Sequence, residues 1–180
     1  MAKTIHRGLR DVKIAAWNSI GSYGTAVDLL GAQEFTVKFD VETDELRGDD
    51  VRLDQYSKII GLSASVKYAT VDLTAMALMV GGTVVSNTEY ENLRVGEVAT
   101  PYFVIAGRVV GTDESVDLHM ISYKCRIAGE VGYEASEGSY LLPSVEISGF
   151  DEGTGGSGVA DIRNFVGPTG LTIPLATAVD

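Results

Sequence analysis

Residues 34–43 alternate without interruption: Phe35, Val37, Phe39 and Val41 fall on one side, and Thr36, Lys38, Asp40 and Glu42 on the other. Successive side chains of an extended chain point to opposite faces, so this stretch predicts a half-buried antiparallel strand with one face on a core and one in solvent. The pattern runs into residues 44–56, which carry acids at 44, 45, 49, 50 and 54 and a glycine at 48. That segment reads as an acidic protruding hairpin, paired over part of its length and turning near Gly48. Alternation resumes over residues 57–70, with Ile60, Leu62, Ala64, Val66 and Tyr68 opposing Ser63, Ser65 and Lys67.

The remaining elements follow from the same two periods. Residues 11–17 predict a short first strand, and 18–31 a loop containing Gly21, Gly24 and Gly31. Asp72 is an N-cap for a short helix over 73–80, which Gly81 and Gly82 end. Leu73, Met76, Ala77 and Val80 give that helix one apolar side to lay on a sheet. Further strands are expected at 83–86, 102–110, 117–127 and 144–150, with Phe103, Ile105 and Val109 on one face of the second. In the third, Ile121, Tyr123, Cys125 and Ile127 oppose Ser122, Lys124 and Arg126. Residues 151–180 are glycine-rich, then contain Pro168 and Pro174, and read either as a crossing segment or as a final extended arm. Many strands, one short helix and no βαβ rhythm predict a mainly β fold: a sandwich or barrel with the helix over an opening or edge, in a single domain spanning 1–180.

Composition narrows the function classes. A net charge of −11 disfavours attraction to nucleic acid or anionic membrane and suits a surface past which DNA moves without sticking. No apolar run reaches the roughly 18 residues of a spanning helix, and residues 1–10 lack the apolar centre of a signal peptide. The single cysteine, Cys125, excludes an intrachain disulfide and a thiolate metal cluster, and reads as a buried small hydrophobe. Histidine is limited to His6 and His119.

The motifs are weak when weighed one by one. Gly153 to Gly158 satisfies G-x-G-x-x-G, but a phosphate site needs a following helix, and a flexible turn is the better reading. Arg47-Gly48-Asp49 spells an adhesion tripeptide, yet glycine and charge are expected at a hairpin tip. Asp44, Glu45, Asp49, Asp50 and Asp54 lack the spacing of a calcium loop, so a solvated acidic loop is favoured over a metal site. Asp117 and His119 share a strand face with no nucleophile evident beside them, and read as structural or solvent-facing. No catalytic residue, metal or cofactor is assigned, and an enzyme is not expected.

Several phrases, taken in order, resemble the major tail tube proteins of long-tailed bacteriophages. They are Asp11-Val-Lys-Ile-Ala-Ala-Trp17, Phe35-Thr-Val-Lys-Phe39, Glu45-Leu-Arg-Gly-Asp-Asp50, Gly61-Leu-Ser-Ala-Ser-Val-Lys67 and Asp72-Leu-Thr-Ala-Met-Ala-Leu-Met-Val-Gly-Gly82. The resemblance covers residues 11–150. It implies a tail-tube-like β-sandwich or barrel flanked by a helix, with an N-terminal arm and a glycine-rich C-terminal extension. It also implies hexameric rings that stack into a hollow virion tail around a DNA channel. The expected partners are further copies of the chain, tape measure, baseplate and tail-terminator proteins, and DNA in transit, with no membrane insertion; assembly would take place in the host cytoplasm. Carried onto this chain, it makes Lys38, Asp40, Glu42, Ser63, Ser65 and Lys67 candidate lumen-facing residues. Asp44, Glu45, Arg47, Asp49, Asp50, Arg52 and Asp54 would belong to a loop reaching the neighbouring ring.

Alternatives within the same architecture are a tail-terminator or a secretion-tube protein. A carbohydrate- or receptor-binding β-sandwich is the reading from another class, with Trp17, Tyr23 and Tyr102 as stacking surfaces if folding brings them together. Paired carboxylates working as a glycosidase are the weakest option.

Overall fold

The computed structural model describes residues 5–48, 51–97, 99–112, 116–133, 137–138, 140–154, 158–166 and 170–174. In chain order the elements are β1 (His6–Ser19), β2 (Ser22–Tyr23), β3 (Val27–Asp28), β4 (Ala32–Gly48), β5 (Val51–Tyr68), α1 (Leu73–Val80), β6 (Thr83–Ser86), β7 (Glu91–Arg94), β8 (Phe103–Gly111), β9 (Val116–Gly132), β10 (Ser144–Phe150) and β11 (Ala160–Val166). The fold is mainly β, an antiparallel sandwich with one short helix. The main sheet runs β2-β1-β8-β9-β10-β5-β4, with β11 on β9 and β3 on β1, while β6 and β7 form a separate ribbon.

The sheet folds back on itself. Phe35 of β4 lies over Gly107 of β8, so close that a Cβ at 107 would sit 2.3 Å from the Phe35 ring. Between the two layers lies the main core: Val12 and Ile14 of β1, Leu62, Val66 and Tyr68 of β5, Phe103 and Ile105 of β8, and Val145 and Ile147 of β10. Full burial of each such side chain contributes about 1.5–3 kcal/mol. A smaller cluster on the outer side of β8 and β9 gathers Ala15, Val104, Ala106, Ile121 and Tyr123 beneath Leu171.

Bulges explain where the structure departs from simple alternation. In β5, Gly61 pairs with Asp40 but Ile59 pairs with Val41, so Ile60 is an inserted residue and is exposed, not part of the core face. In β9, a register shift between Phe103 and Ile105 of the partner strand divides the expected apolar row. Ile121 and Tyr123 go to the outer cluster, whereas Cys125 and Ile127 go to the main core. Both faces of β8 are therefore buried at its start.

The short helix forms as its caps dictate. Asp72 Oδ1 accepts from the amides of Thr74 at 2.8 Å and Ala75 at 3.1 Å, and Gly81 leaves the helix at φ 80°. Its packed face is Ala75, Met76 and Met79, rotated from the expected Leu73, Met76, Ala77 and Val80, because the helix rests on the end of the core, not on a flat sheet. Four other boundaries change. The first strand begins at His6 and ends at Ser19, the expected loop at 18–31 contains β2 and β3, and β7 and β11 are strands where none was expected. β11 places the C-terminal section in the sheet, pairing Ala160 with Ser122 through to Val166 with Val116.

Candidate functional site

The sandwich puts the polar rows of β4 and β5 on its outer surface. Lys38 pairs in register with Ser63, Thr36 with Ser65, Glu34 with Lys67, and Asp40 with Gly61. Strict alternation on both strands therefore brings Lys38, Asp40, Ser63, Ser65 and Lys67 onto one face, and the bulge at Ile60 keeps Glu42 there opposite Lys58. Ser63 donates to both Asp40 carboxylate oxygens at 2.9 and 2.8 Å, and Lys67 pairs with Glu34 at 3.0 Å. The row continues through β10, where Glu146 pairs with Ser65 and Ser148 with Ser63. Thr36, Lys38, Ser63, Ser65, Glu146 and Ser148 line a depression of about 290 Å³.

Residues 44–48 and 51–54 are a continuation of this hairpin. Strand pairing runs to Gly48 opposite Val51, and Asp49 and Asp50 lie outside the described residues. The two faces of the extension differ. Glu45 sits on one face, bound by Arg47 at 3.0 Å and by Arg52 at 2.5 Å. Asp44 and Asp54 occupy the other, beside Tyr56 and Leu46. The acids are thus divided between faces, which argues against the calcium reading, and Arg47 is engaged internally. Among the described residues there is no group of three or more His, Cys, Asp or Glu side chains placed to hold a metal. The glycine-rich run at 153–158, of which 155–157 lie outside the described residues, leads into a strand and so lacks the helix a phosphate site requires.

The extension also exposes apolar side chains. Val41, Leu46, Val51, Leu53, Ile59 and Ile60 are each more than half exposed. The apolar row that packs on the core at Phe35, Val37 and Leu62 continues through Phe39, Val41 and Ile59, which are exposed, while Leu46 and Val51 lie on the opposite face.

A second group lies on the same outer face, toward β1. Trp17 and Tyr102 meet edge to face at 5.7 Å, and Tyr102 meets Phe150 likewise at 6.2 Å. Lys124 Nζ lies 4.8 Å from the Trp17 ring and 5.0 Å from that of Tyr102, with the Arg126 guanidinium 4.0 Å over Tyr102. The nearly buried Glu152 accepts from Trp17 Nε1 at 2.9 Å and from Tyr23 at 3.0 Å. Burial, then the hydrogen bond to Glu152, pushes the Tyr23 hydroxyl well above its ordinary value of 10.0. Folding does bring Trp17, Tyr23 and Tyr102 together. Lys124 lies over the Trp17 and Tyr102 rings, and Glu152 holds the polar edges of Trp17 and Tyr23. Lys124, Arg126 and Glu152 were not assigned from sequence, although alternation had already set Lys124 and Arg126 opposite Cys125.

Asp117 and His119 are fully buried, which removes the solvent-facing reading. Asp117 accepts from Arg108 at 2.9 and 2.8 Å, and His119 packs on Phe165 at 4.5 Å between ring centres. Cys125 is also buried, and desolvation pushes its thiol up to about 12. Among the described residues no helix is long and apolar enough to cross a membrane. The chain matches no protein-family model and no curated protein sequence.

Proposed function

We propose that this chain is a structural subunit of a bacteriophage tail tube, forming hexameric rings that stack around a DNA-conducting channel. The observation that carries the reading is the β4–β5 hairpin: a polar face from Thr36 to Glu42 and from Lys58 to Lys67, apolar side chains bared where it leaves the core, and β4 at the end of the sheet path. A sheet with a wet face suits a channel wall. Joining sheet edges between copies also removes the unpaired backbone groups that otherwise invite uncontrolled pairing. Ring closure requires a heterologous contact, one side of a copy against the other side of the next.

In this reading Lys38, Asp40, Glu42, Ser63, Ser65 and Lys67 face the bore. Conduction is passive: carboxylates such as Asp40 and Glu42 repel phosphate, and the serines keep the wall hydrated, so DNA meets few deep electrostatic wells. Of the two lysines, Lys67 is held by Glu34, and Lys38 leaves one local attraction for phosphate. The protein belongs to the virion tail, with tape measure, baseplate and terminator proteins as neighbours.

Electron microscopy of the purified protein, alone and with its tape measure protein, tests the reading. Rings or hollow filaments with a polar bore are expected. A strict monomer at every concentration under both conditions overturns it, and a single closed ring that never extends points instead to a terminator.

A further inference from the structure

One row on the outer face is cationic at both ends, in a chain whose acids outnumber its bases 25 to 14. Lys38, Ser63, Ser148 and Arg126 are successive cross-strand partners on β4, β5, β10 and β9, so their side chains share a face. Lys124 lies two residues from Arg126 on the same side. Arg47, Arg52, Lys67, Arg108 and Arg163 are each taken up by an acid. Lys38, Lys124 and Arg126 make no ion pair among the described residues. Lys58, further out on β5, stands opposite Glu42.

The donors along this row suit an anion. The Arg126 guanidinium is stacked 4.0 Å over Tyr102, and Lys124 lies 4.8 Å from the Trp17 ring and 5.0 Å from that of Tyr102. Both cations are therefore held in place before any ligand arrives, and Arg126 Nε is buried with no hydrogen-bond partner. Lys38, Ser63, Ser65 and Ser148 line the depression between the two ends, and the Ser65 and Ser148 hydroxyls have no protein partner among the described residues. Cations with interleaved hydroxyls are the donors that phosphate oxygens take. Two carboxylates limit the attraction: Asp40, bonded by Ser63, and Glu146, which lines the depression. Lys38 and Arg126 stand roughly 14 Å apart at about 4.8 Å per strand, too far for one phosphate group to touch both. Each end meets a phosphate of its own.

We infer that this row contacts the phosphodiester backbone of duplex DNA, with Lys38 at one end, Lys124 and Arg126 at the other, and Ser65 and Ser148 donating between them. The inference rests on the tube reading, which turns this face to the bore, and adds to it a shallow grip repeated by every copy. Backbone contacts carry no sequence information, so the grip is the same along the whole length of the DNA. The adjoining carboxylates keep it weak enough to release. A moving duplex feels a uniform drag instead of fixed stops.

Thermophoresis of fluorescently labelled protein, kept dilute and monomeric and titrated with a duplex of about 12 base pairs, tests the contact at several salt concentrations. Three phosphate contacts give a slope of about −2.7 in log affinity against log salt, so binding falls roughly 40-fold between about 50 and 200 mM. K38Q is expected to reduce that slope by about 0.9, and K124Q/R126Q by about 1.8. R94Q, exposed on the separate β6–β7 ribbon, makes the same charge change as K38Q and is expected to leave the slope unaltered. Circular dichroism establishes that each variant is folded. No binding by the wild type at about 50 mM salt, unchanged slopes in K38Q and K124Q/R126Q, or an equal loss in R94Q overturns the grip. If that protein still forms tubes in the electron microscope, the tube reading stands. Row-dependent binding by a chain that never forms rings overturns the tube reading and leaves the phosphate site.

Discussion

Replacing Gly107 by alanine tests whether β4 is clamped against β8, the contact that holds the candidate channel face in register. A Cβ at this position would lie 2.3 Å from Phe35 Cδ1 and 2.5 Å from Cε1, far inside van der Waals contact. Either the ring leaves its rotamer or the layers separate, and overpacking of this kind costs about 1–3 kcal/mol. Relief of glycine's extra conformational entropy in a strand returns about 0.5–1 kcal/mol. The net loss for Gly107→Ala is therefore about 0–2.5 kcal/mol, centred near about 1 kcal/mol. Phe35→Ala alone removes a partly buried ring and costs about 2 kcal/mol, below the range for a fully buried one. Once the ring is gone, the new methyl group has space, and Gly107→Ala becomes neutral or slightly stabilising. Urea titration followed by circular dichroism gives all four corners of the cycle, with a coupling of about 1–3 kcal/mol, the overpacking cost alone. If Gly107→Ala costs the same with and without Phe35, to within about 0.5 kcal/mol, the layers do not meet at this point and the sandwich is wrongly closed.

Asp72→Ala leaves two helix amides without their acceptor and is expected to lower stability by about 1 kcal/mol, with Asp72→Asn recovering most of it in the same urea titration. The raised Cys125 thiol makes stability depend on alkaline pH. The folded state keeps its proton from the ordinary value of 9.0 up to about 12, so the stabilisation is complete below pH 9 and is lost as pH rises through that window. Cys125→Ala is expected to flatten the fall between pH 9 and 10, before the buried Tyr23 and Tyr68 hydroxyls contribute; an unchanged slope refutes the assignment.

The parts of the fold legible in the sequence are those governed by neighbours along the chain. The polar row of 34–43, the span and N-cap of α1 and the burial of Cys125 depend on period and on local hydrogen bonds, so their assignments hold; of the apolar row only Phe35 and Val37 reach the core, and Phe39 and Val41 are exposed. The parts that shifted depend on partners far away. Ile60 fits the apolar row by count, yet the extra residue is defined only by which residue of β4 it fails to face. The row from Ile121 to Ile127 likewise divides between two cores because β8 imposes a bulge. β11 alternates only over Ala160–Arg163 before Asn164 breaks the period, too short a run to stand alone; it is a strand because β9 pairs with it. The same logic governs the site. Lys38, Asp40, Ser63 and Ser65 follow from alternation on two strands, whereas the association of Trp17, Tyr102, Lys124 and Glu152 joins residues remote in sequence and needed the folded sheet.

The hairpin poses a physical problem that a single chain leaves open. β4 is 17 residues long and β5 is 18, far more than the layer beneath them requires. Past Asp40 the row that began as core continues as Val41 and Ile59, with Ile60 bulged beside them, and all three are exposed. Such a row beside an unpaired edge invites indiscriminate association. The acids Asp44 and Asp54 lie on the opposite face and repel only where two hairpins meet through that face. Covering the row with a different surface of the next copy satisfies it without a symmetric dimer. A contact between unlike surfaces of identical subunits closes a ring or propagates a filament, which is the kind of assembly a tube requires.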